Sequence, residues 1–315
     1  MIGMVELNIF CDEILDEKDK KGNSWICFAT LFVPVESQQA FGKALLNCRC
    51  KEFGDYARCQ RECTRRKNHD SVVTYKNLNA GQKADIAERW INFLYSNNEN
   101  NSGYIYLKIF GINISYLDST YFGSCGREVY KNIYSRFFRS CIEGGIKFYF
   151  GKKAKVVVNT VYHHKGNQQN YQNFDCANIN ELIKSNRITF KNPTIIFLDE
   201  NHRTERKFIF EKNFIQFTDL ILGSVFNAMH LRSNNENKLR ISGKLVPLLK
   251  KMMEGKYGFR QSISFWPKRR LNSKIKKEVQ TKLNGFSEEK FSEDLFYSKK
   301  NILLKSPEQN VLKFE

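Results

Sequence analysis

The chain has 315 residues, 41% of them hydrophobic, enough to bury a real core, and its 51 Lys and Arg against 33 Asp and Glu leave a net charge of +18. That balance points to a polyanionic partner, nucleic acid or an anionic surface, and does not by itself say which. No apolar run approaches the ~20 residues of a membrane span, and the first residues, MIGMVELNIFCDE, lack the basic start and long apolar stretch of a signal peptide, so the chain reads as soluble and cytoplasmic.

In chain order, the first elements are two apolar, β-rich runs at 5–11 and 25–33, joined by the turn DEKDKKGN, whose Gly22-Asn23 is hairpin chemistry. The first run ends at adjacent carboxylates, Asp12 and Glu13, which the pattern places at the end of a strand. A buried carboxylate there needs a cation to neutralise it. A helix is predicted from Gln38 to Cys50, followed by a polar stretch rich in Cys and Arg at about 48–70. A second helix over 80–95 carries Ile86, Trp90, Ile91 and Leu94 at helical spacing. After the loop SNNENNSG, residues 104–116 alternate as a strand and 127–142 form an aromatic-rich helix. KVVVNTV at 155–161 is a strand, INELI at 179–183 a short helix and TIIFLD at 194–199 another strand. Residues 214–230, FIQFTDLILGSVFNAMH, have the spacing of a long buried helix with a single acid, Asp219, in its middle. This order predicts an α/β protein, a mixed sheet flanked by helices, over 1–235, with a basic helical C-terminal extension over 236–315.

Asp219 lies in an apolar stripe, where a lone ionised carboxylate is disfavoured. Two arrangements follow. If the helix packs over the sheet, Asp219 faces Asp12 and a divalent cation relieves their repulsion; otherwise Asp12 begins a turn and Asp219 lies on a solvent face.

These residues also carry a resemblance. FIQFTDLILGSV resembles the "LQLxDLxxG" segment of the bacterial domain-of-unknown-function 3800 family, and NIFCDE resembles that family's first strand, which ends in Asp-Glu; the likeness spans about residues 5–230. The resemblance implies a ribonuclease-H-like fold with carboxylates around Mg²⁺ or Mn²⁺: Asp12 from the first strand with Glu13 beside it, Asp219 from the helix, and Asn159 where the family often has aspartate. The sequence departs from the family at Ile14-Leu15, in place of Ser-Gly, and at Val72, in place of a glutamate. Asp199, with Glu200, ends TIIFLDE and is a candidate for the missing charge. Two functions are implied: a metal-dependent nuclease hydrolysing DNA or RNA, in a mobile-element or antiviral defence setting with a partner protein, or a catalytically degenerate nucleic-acid-binding or scaffold subunit. In the first, two metals ~4 Å apart activate water and stabilise the leaving oxygen. His163 and His164 are then candidate proton donors and Lys165 a phosphate contact, the plainer reading being an exposed loop.

Nine cysteines in a reducing compartment read as free thiols or ligands. Cys48, Cys50, Cys59 and Cys63, with His69 beyond, are a candidate Zn²⁺ set, although C-x-C followed by C-x-x-x-C is not the usual pairing and Cys59 and Cys63 would also share a helix face. Cys11, Cys27, Cys125, Cys141 and Cys176 read as core residues. Basic charge gathers at 59–69, with Arg65, Arg66 and Lys67, and over 238–282, with Lys268, Arg269 and Arg270 beside Tyr257, Phe259, Phe265 and Trp266. Cations interleaved with rings suit a nucleic-acid groove; an amphipathic helix packed on the core by its Leu and Met face is the alternative.

Overall fold

The computed structural model describes residues 4–19, 22–99, 105–117, 119–151, 155–166, 179–199, 206–230, 232–254 and 260–266. Strand β1 (Met4–Lys18) lies in the middle of a seven-stranded mixed sheet. On one side β2 (Ser24–Pro34) runs antiparallel to β1, β3 (Tyr106–Asn113) antiparallel to β2, and β7 (Gln261–Trp266) parallel to β3. On the other side β4 (Lys155–His164) is parallel to β1 and carries two three-residue strands, β5 (Ile188–Phe190) and β6 (Ile196–Leu198), along its two halves. A strand covered on both faces is apolar in both phases of its alternation, which explains why the run LNIFC is apolar except at Asn8. Leu7, Ile9 and Cys11 point to one face, Phe10 to the other.

The first face is covered by α5 (Gly126–Phe150), whose Tyr134 and Phe138 rings sit 5.0 and 5.9 Å from Phe28. This helix runs eight residues past its predicted end at 142, through Gly144-Gly145. A Cβ at Gly145 would lie 2.3 Å from the Phe32 ring, so the glycine is what lets α5 lie close on β2. The second face carries α1 (Val35–Asn47), α4 (Gly81–Glu99), α7 (Ile209–His230) and α8 (Glu236–Glu254). Phe214 of α7 packs 4.7 Å from Phe10 and 4.8 Å from Phe41, and Trp90 of α4 joins them through Phe217.

Three expectations change here. β1 does not stop at Asp12-Glu13 but continues to Lys18, with a register shift between Ile14 and Glu17 in its pairing with β2, so the two acids are mid-strand. The fold does not close at 235: Leu245, Leu248, Leu249 and Met252 of α8 are buried in the same core as α7, and β7 completes the sheet. The Leu and Met face therefore packs on the core. Phe265 is also part of that core, which removes it from any base-stacking surface. Tyr257, Phe259, Lys268, Arg269, Arg270, Glu200 and Cys176 lie outside the described residues, as do all those after 266. No helix among the described residues is long and apolar enough to cross a membrane.

Candidate metal centre and the paired carboxylates

Between α1 and α4 the chain makes a small excursion from the sheet. It contains α2 (Tyr56–Glu62), started by the Asp55 side chain accepting from the Arg58 N–H, and the single-turn α3 (Arg66–His69). With almost no aliphatic side chains, the excursion buries sulfur instead: Cys50, Cys59 and Cys63 form a cluster of their own beside Phe53. His69 closes it, its Nδ1 lying 3.2 Å from the Cys59 Sγ and 3.6 Å from the Cys63 Sγ. One ligand atom from each of Cys50, Cys59, Cys63 and His69 falls within 4.8 Å of every other, and all four residues are buried. Three sulfurs and one imidazole nitrogen at that spacing could hold a metal ion. Burial pushes the Cys59 thiol far up, with Cys50 and Cys63 adding to it, and burial lowers His69. A cation placed among them would reverse the first effect by stabilising thiolates, and would use the neutral imidazole that the second provides.

Cys48 is not part of this group, which corrects the expected tetrad. Its thiol is half-buried and pushed up to about 11, chiefly by desolvation, and its carbonyl accepts from Arg89 Nε. His69 takes the fourth place. Its distance in sequence, six residues past Cys63, is bridged by α3.

Arg49, between Cys48 and Cys50, turns the other way into the core. It is fully buried, over the Trp90 ring at 5.0 Å, and donates to His69 O, Ser71 O, Asn213 Oδ1 and Gln216 Oε1 at 2.7 to 3.0 Å. Burial lowers its pKa to about 10. The guanidinium thus joins the backbone of a candidate ligand to two side chains of α7.

The conspicuous helix segment FIQFTDLILG is accounted for by the same docking. Gln216 Oε1 also accepts the Val73 N–H at 2.9 Å, and Asp219 Oδ2 accepts the Tyr75 N–H at 2.6 Å. One turn on, Gly223 leaves room for the Tyr75 ring, which a Cβ would meet at 2.3 Å. Lys238 of α8 lies over the same ring at 4.7 Å. Asp219 is five residues from Phe214, the residue against Phe10, and so about 140° round the helix from the sheet-facing side. It serves the 72–75 segment, where Val72 stands, rather than facing Asp12.

Asp12 and Glu13 point to opposite faces of the sheet, and each meets a histidine of β4. Asp12, 3% exposed, has its Oδ1 3.6 Å from His164 Nδ1. Glu13 Oε2 lies 2.9 Å from His163 Nε2, both side chains fully buried, with the Tyr134 hydroxyl 3.2 Å from each. His163 Nδ1 is 2.8 Å from its neighbour's carbonyl. Burial, the largest influence on His163, acts to lower it, but Glu13, the His164 carbonyl and Asp12 together outweigh it and the imidazole ends above its ordinary value; burial, with Glu13 next, drives the Tyr134 phenol well up. The two histidines are strand residues, not an exposed loop, while the Lys165 side chain is exposed.

Asn159 sits at the shift in register between β4 and β1, and its Oδ1 is buried without a hydrogen-bond partner. It lies five residues before His164, roughly 16 Å along the strand, and so away from Asp12. Asp199 follows β6, at the edge of the sheet. Among the described residues the Cys50, Cys59, Cys63 and His69 group is where His, Cys, Asp or Glu side chains gather closely enough for an ion. Asp12, Glu13, Asp199 and Asp219 do not, and among the described residues the Mg²⁺ or Mn²⁺ site implied by the resemblance has no such ligand set.

Compared with family models, curated proteins and solved structures, the chain matches none. Residue chemistry alone therefore carries the functional reading. Of the other cysteines, Cys11, Cys27 and Cys141 are buried as expected, and Cys125 is exposed.

Proposed function

We propose that the protein is a zinc-stapled, non-catalytic nucleic-acid-binding subunit built on a ribonuclease-H-like sheet. The observation that carries this reading is the sulfur-imidazole group of Cys50, Cys59, Cys63 and His69, closed within a segment of seven cations and four carboxylates over 48–70. Zn²⁺ is the metal that suits three thiolates and one imidazole in a closed tetrahedral set, and such closed sets are structural. Arg65, Arg66 and Lys67 are exposed on the outside of this staple, where they meet a polyanion without disturbing it.

The fold expectation is supported by the sheet itself: the first strand is central, carries Asp12, and has α7 across one face. The loss of catalysis is supported by the engagement of the acids, Asp219 with the Tyr75 N–H, Glu13 with His163 and Asp12 with His164. The hydrolase reading keeps one observation in its favour, since Asp12 and His164 offer an oxygen and a nitrogen on one face.

The test is direct. The purified full-length chain should carry one zinc per molecule by elemental mass spectrometry, lost in Cys59→Ser and His69→Ala. It should retain single- and double-stranded DNA or RNA on a filter without shortening it in Mg²⁺ or Mn²⁺. Metal-dependent cleavage abolished by Asp12→Ala would replace this reading with the nuclease one.

A further inference from the structure

Beside the sulfur group, between the excursion and α4, a cleft of about 810 Å³ opens to solvent, lined by Lys51, Glu52, Arg65, Asn68, Arg89 and Asp85 among others. Ligand sites commonly span ~300–1,000 Å³, so the space admits a nucleotide unit rather than a lone ion. Three of the named residues are cations from three places in the chain: Lys51 follows the ligand Cys50, Arg65 precedes α3, and Arg89 comes from α4. Arg89 is held still by donating to the Cys48 and Arg49 carbonyls. Of the two acids, Asp85 is offset by Arg240 at 2.9 Å, which leaves Glu52, 3.7 Å from the Cys63 sulfur, as one negative charge against the three cations. His69 also lines the cleft, which sets the candidate metal centre in its wall. The first turn of α4, with no acidic residue in it, completes the lining through Gly81 and Gln82.

We infer that this cleft binds the phosphate backbone of a nucleic acid, with Lys51 and Arg65 as the contacting cations and Arg89 as a fixed positive charge behind them. The inference rests on the reading of the preceding subsection and adds to it a place and a mode. Among the described residues the lining holds no Phe, Tyr or Trp, and its one ring, His69, is buried with the sulfurs, so the cleft offers phosphates a charge and bases no open stacking surface. Binding there is accordingly indifferent to base sequence and steep in salt.

The test is fluorescence anisotropy of the zinc-loaded full chain with a labelled single-stranded oligonucleotide over a salt series. The variants are Lys51→Ala, Arg65→Ala and the pair, with Arg61→Ala as a control that removes an equal charge from the same excursion outside the cleft; zinc content confirms that each is folded there. The expected result is a fall of about 1 in the salt slope for each cleft substitution, similar for unrelated base sequences, and little change for Arg61→Ala. If the parent binds and the paired variant behaves like Arg61→Ala, the cleft is overturned while nucleic-acid binding stands. If the zinc-loaded parent binds no oligonucleotide, the proposed function falls and the cleft with it. If inorganic phosphate or a nucleoside monophosphate displaces the probe at concentrations close to those at which unlabelled oligonucleotide does, the cleft takes a free phosphate and the inference is wrong about its source.

Discussion

His163 and His230 are both buried imidazoles, yet their surroundings move them in opposite directions. His230, packed against Trp25 and Phe226, is lowered by burial to about 4, so it stays neutral in the folded chain while the unfolded chain takes up a proton below its ordinary value near 6.5. Its contribution to stability therefore grows as pH rises from 4 to 6.5. His163 is raised by Glu13, so its contribution is fully present below about 6.5 and is lost as pH climbs through the raised folded value. Urea midpoints measured across pH should rise along the lower limb and fall along the upper one. Subtracting variant from parent, His230→Gln should flatten the first and His163→Gln the second; equal curves would sink the assignment. Sequence reasoning found the acids Asp12 and Glu13 but not these partners, because the match of 12 and 13 with 164 and 163 exists only through the parallel register of β1 and β4. It also singled out Asp219 as unusual and left it between Asp12 and a solvent face; three residues of α7, Gln216, Asp219 and Gly223, serve the 72–75 segment.

At the scale of elements, the excursion over 48–70 and helix α7 are tied together by Arg49. Its donors meet neutral oxygens on both, and replacing it by Met would take a donor from each of those buried acceptors, of which Gln216 Oε1 keeps the Val73 N–H. Arg49→Met should cost about 1–3 kcal/mol in urea unfolding, the range for buried neutral acceptors that lose their donor. Because one of those acceptors is the His69 carbonyl, the same variant should bind zinc roughly 10–100-fold more weakly in a chelator competition, as loss of an outer-shell partner does. A variant with unchanged zinc affinity would separate the two elements. Farther along the same face of α7, Gly223→Ala should destabilise by about 1–3 kcal/mol, since the added Cβ meets Tyr75 ring carbons at 2.3 to 2.7 Å and the ring must move. The periodicity of α4 and α7 made both helices legible within a few residues of their ends. The three-residue strands β5 and β6 were poorly legible, one missed and one overextended, because three residues carry too little alternation to distinguish a strand from a loop.

For the whole molecule, the sheet and the excursion draw on different sources of stability. The sheet buries large aromatic and aliphatic side chains on both faces, whereas the excursion has only its thiols, His69 and Phe53. Removing the metal with a chelator should therefore expose the 50–70 stretch to limited proteolysis while leaving most of the β-sheet signal in far-ultraviolet dichroism. Loss of the entire dichroism signal would mean that the sheet itself depends on the metal. The sequence by itself determined that this is an α/β chain with a large core, a basic balance and a thiol-rich segment, since composition and periodicity report burial and charge directly. Only the tertiary structure decided which side chains meet: His69 in place of Cys48 in the metal group, histidines in place of a cation at Asp12 and Glu13, and a backbone N–H at Asp219. Ligand sets and ion pairs join residues far apart in the chain, and their geometry comes from strand register and helix docking, which local patterns of hydrophobicity do not encode.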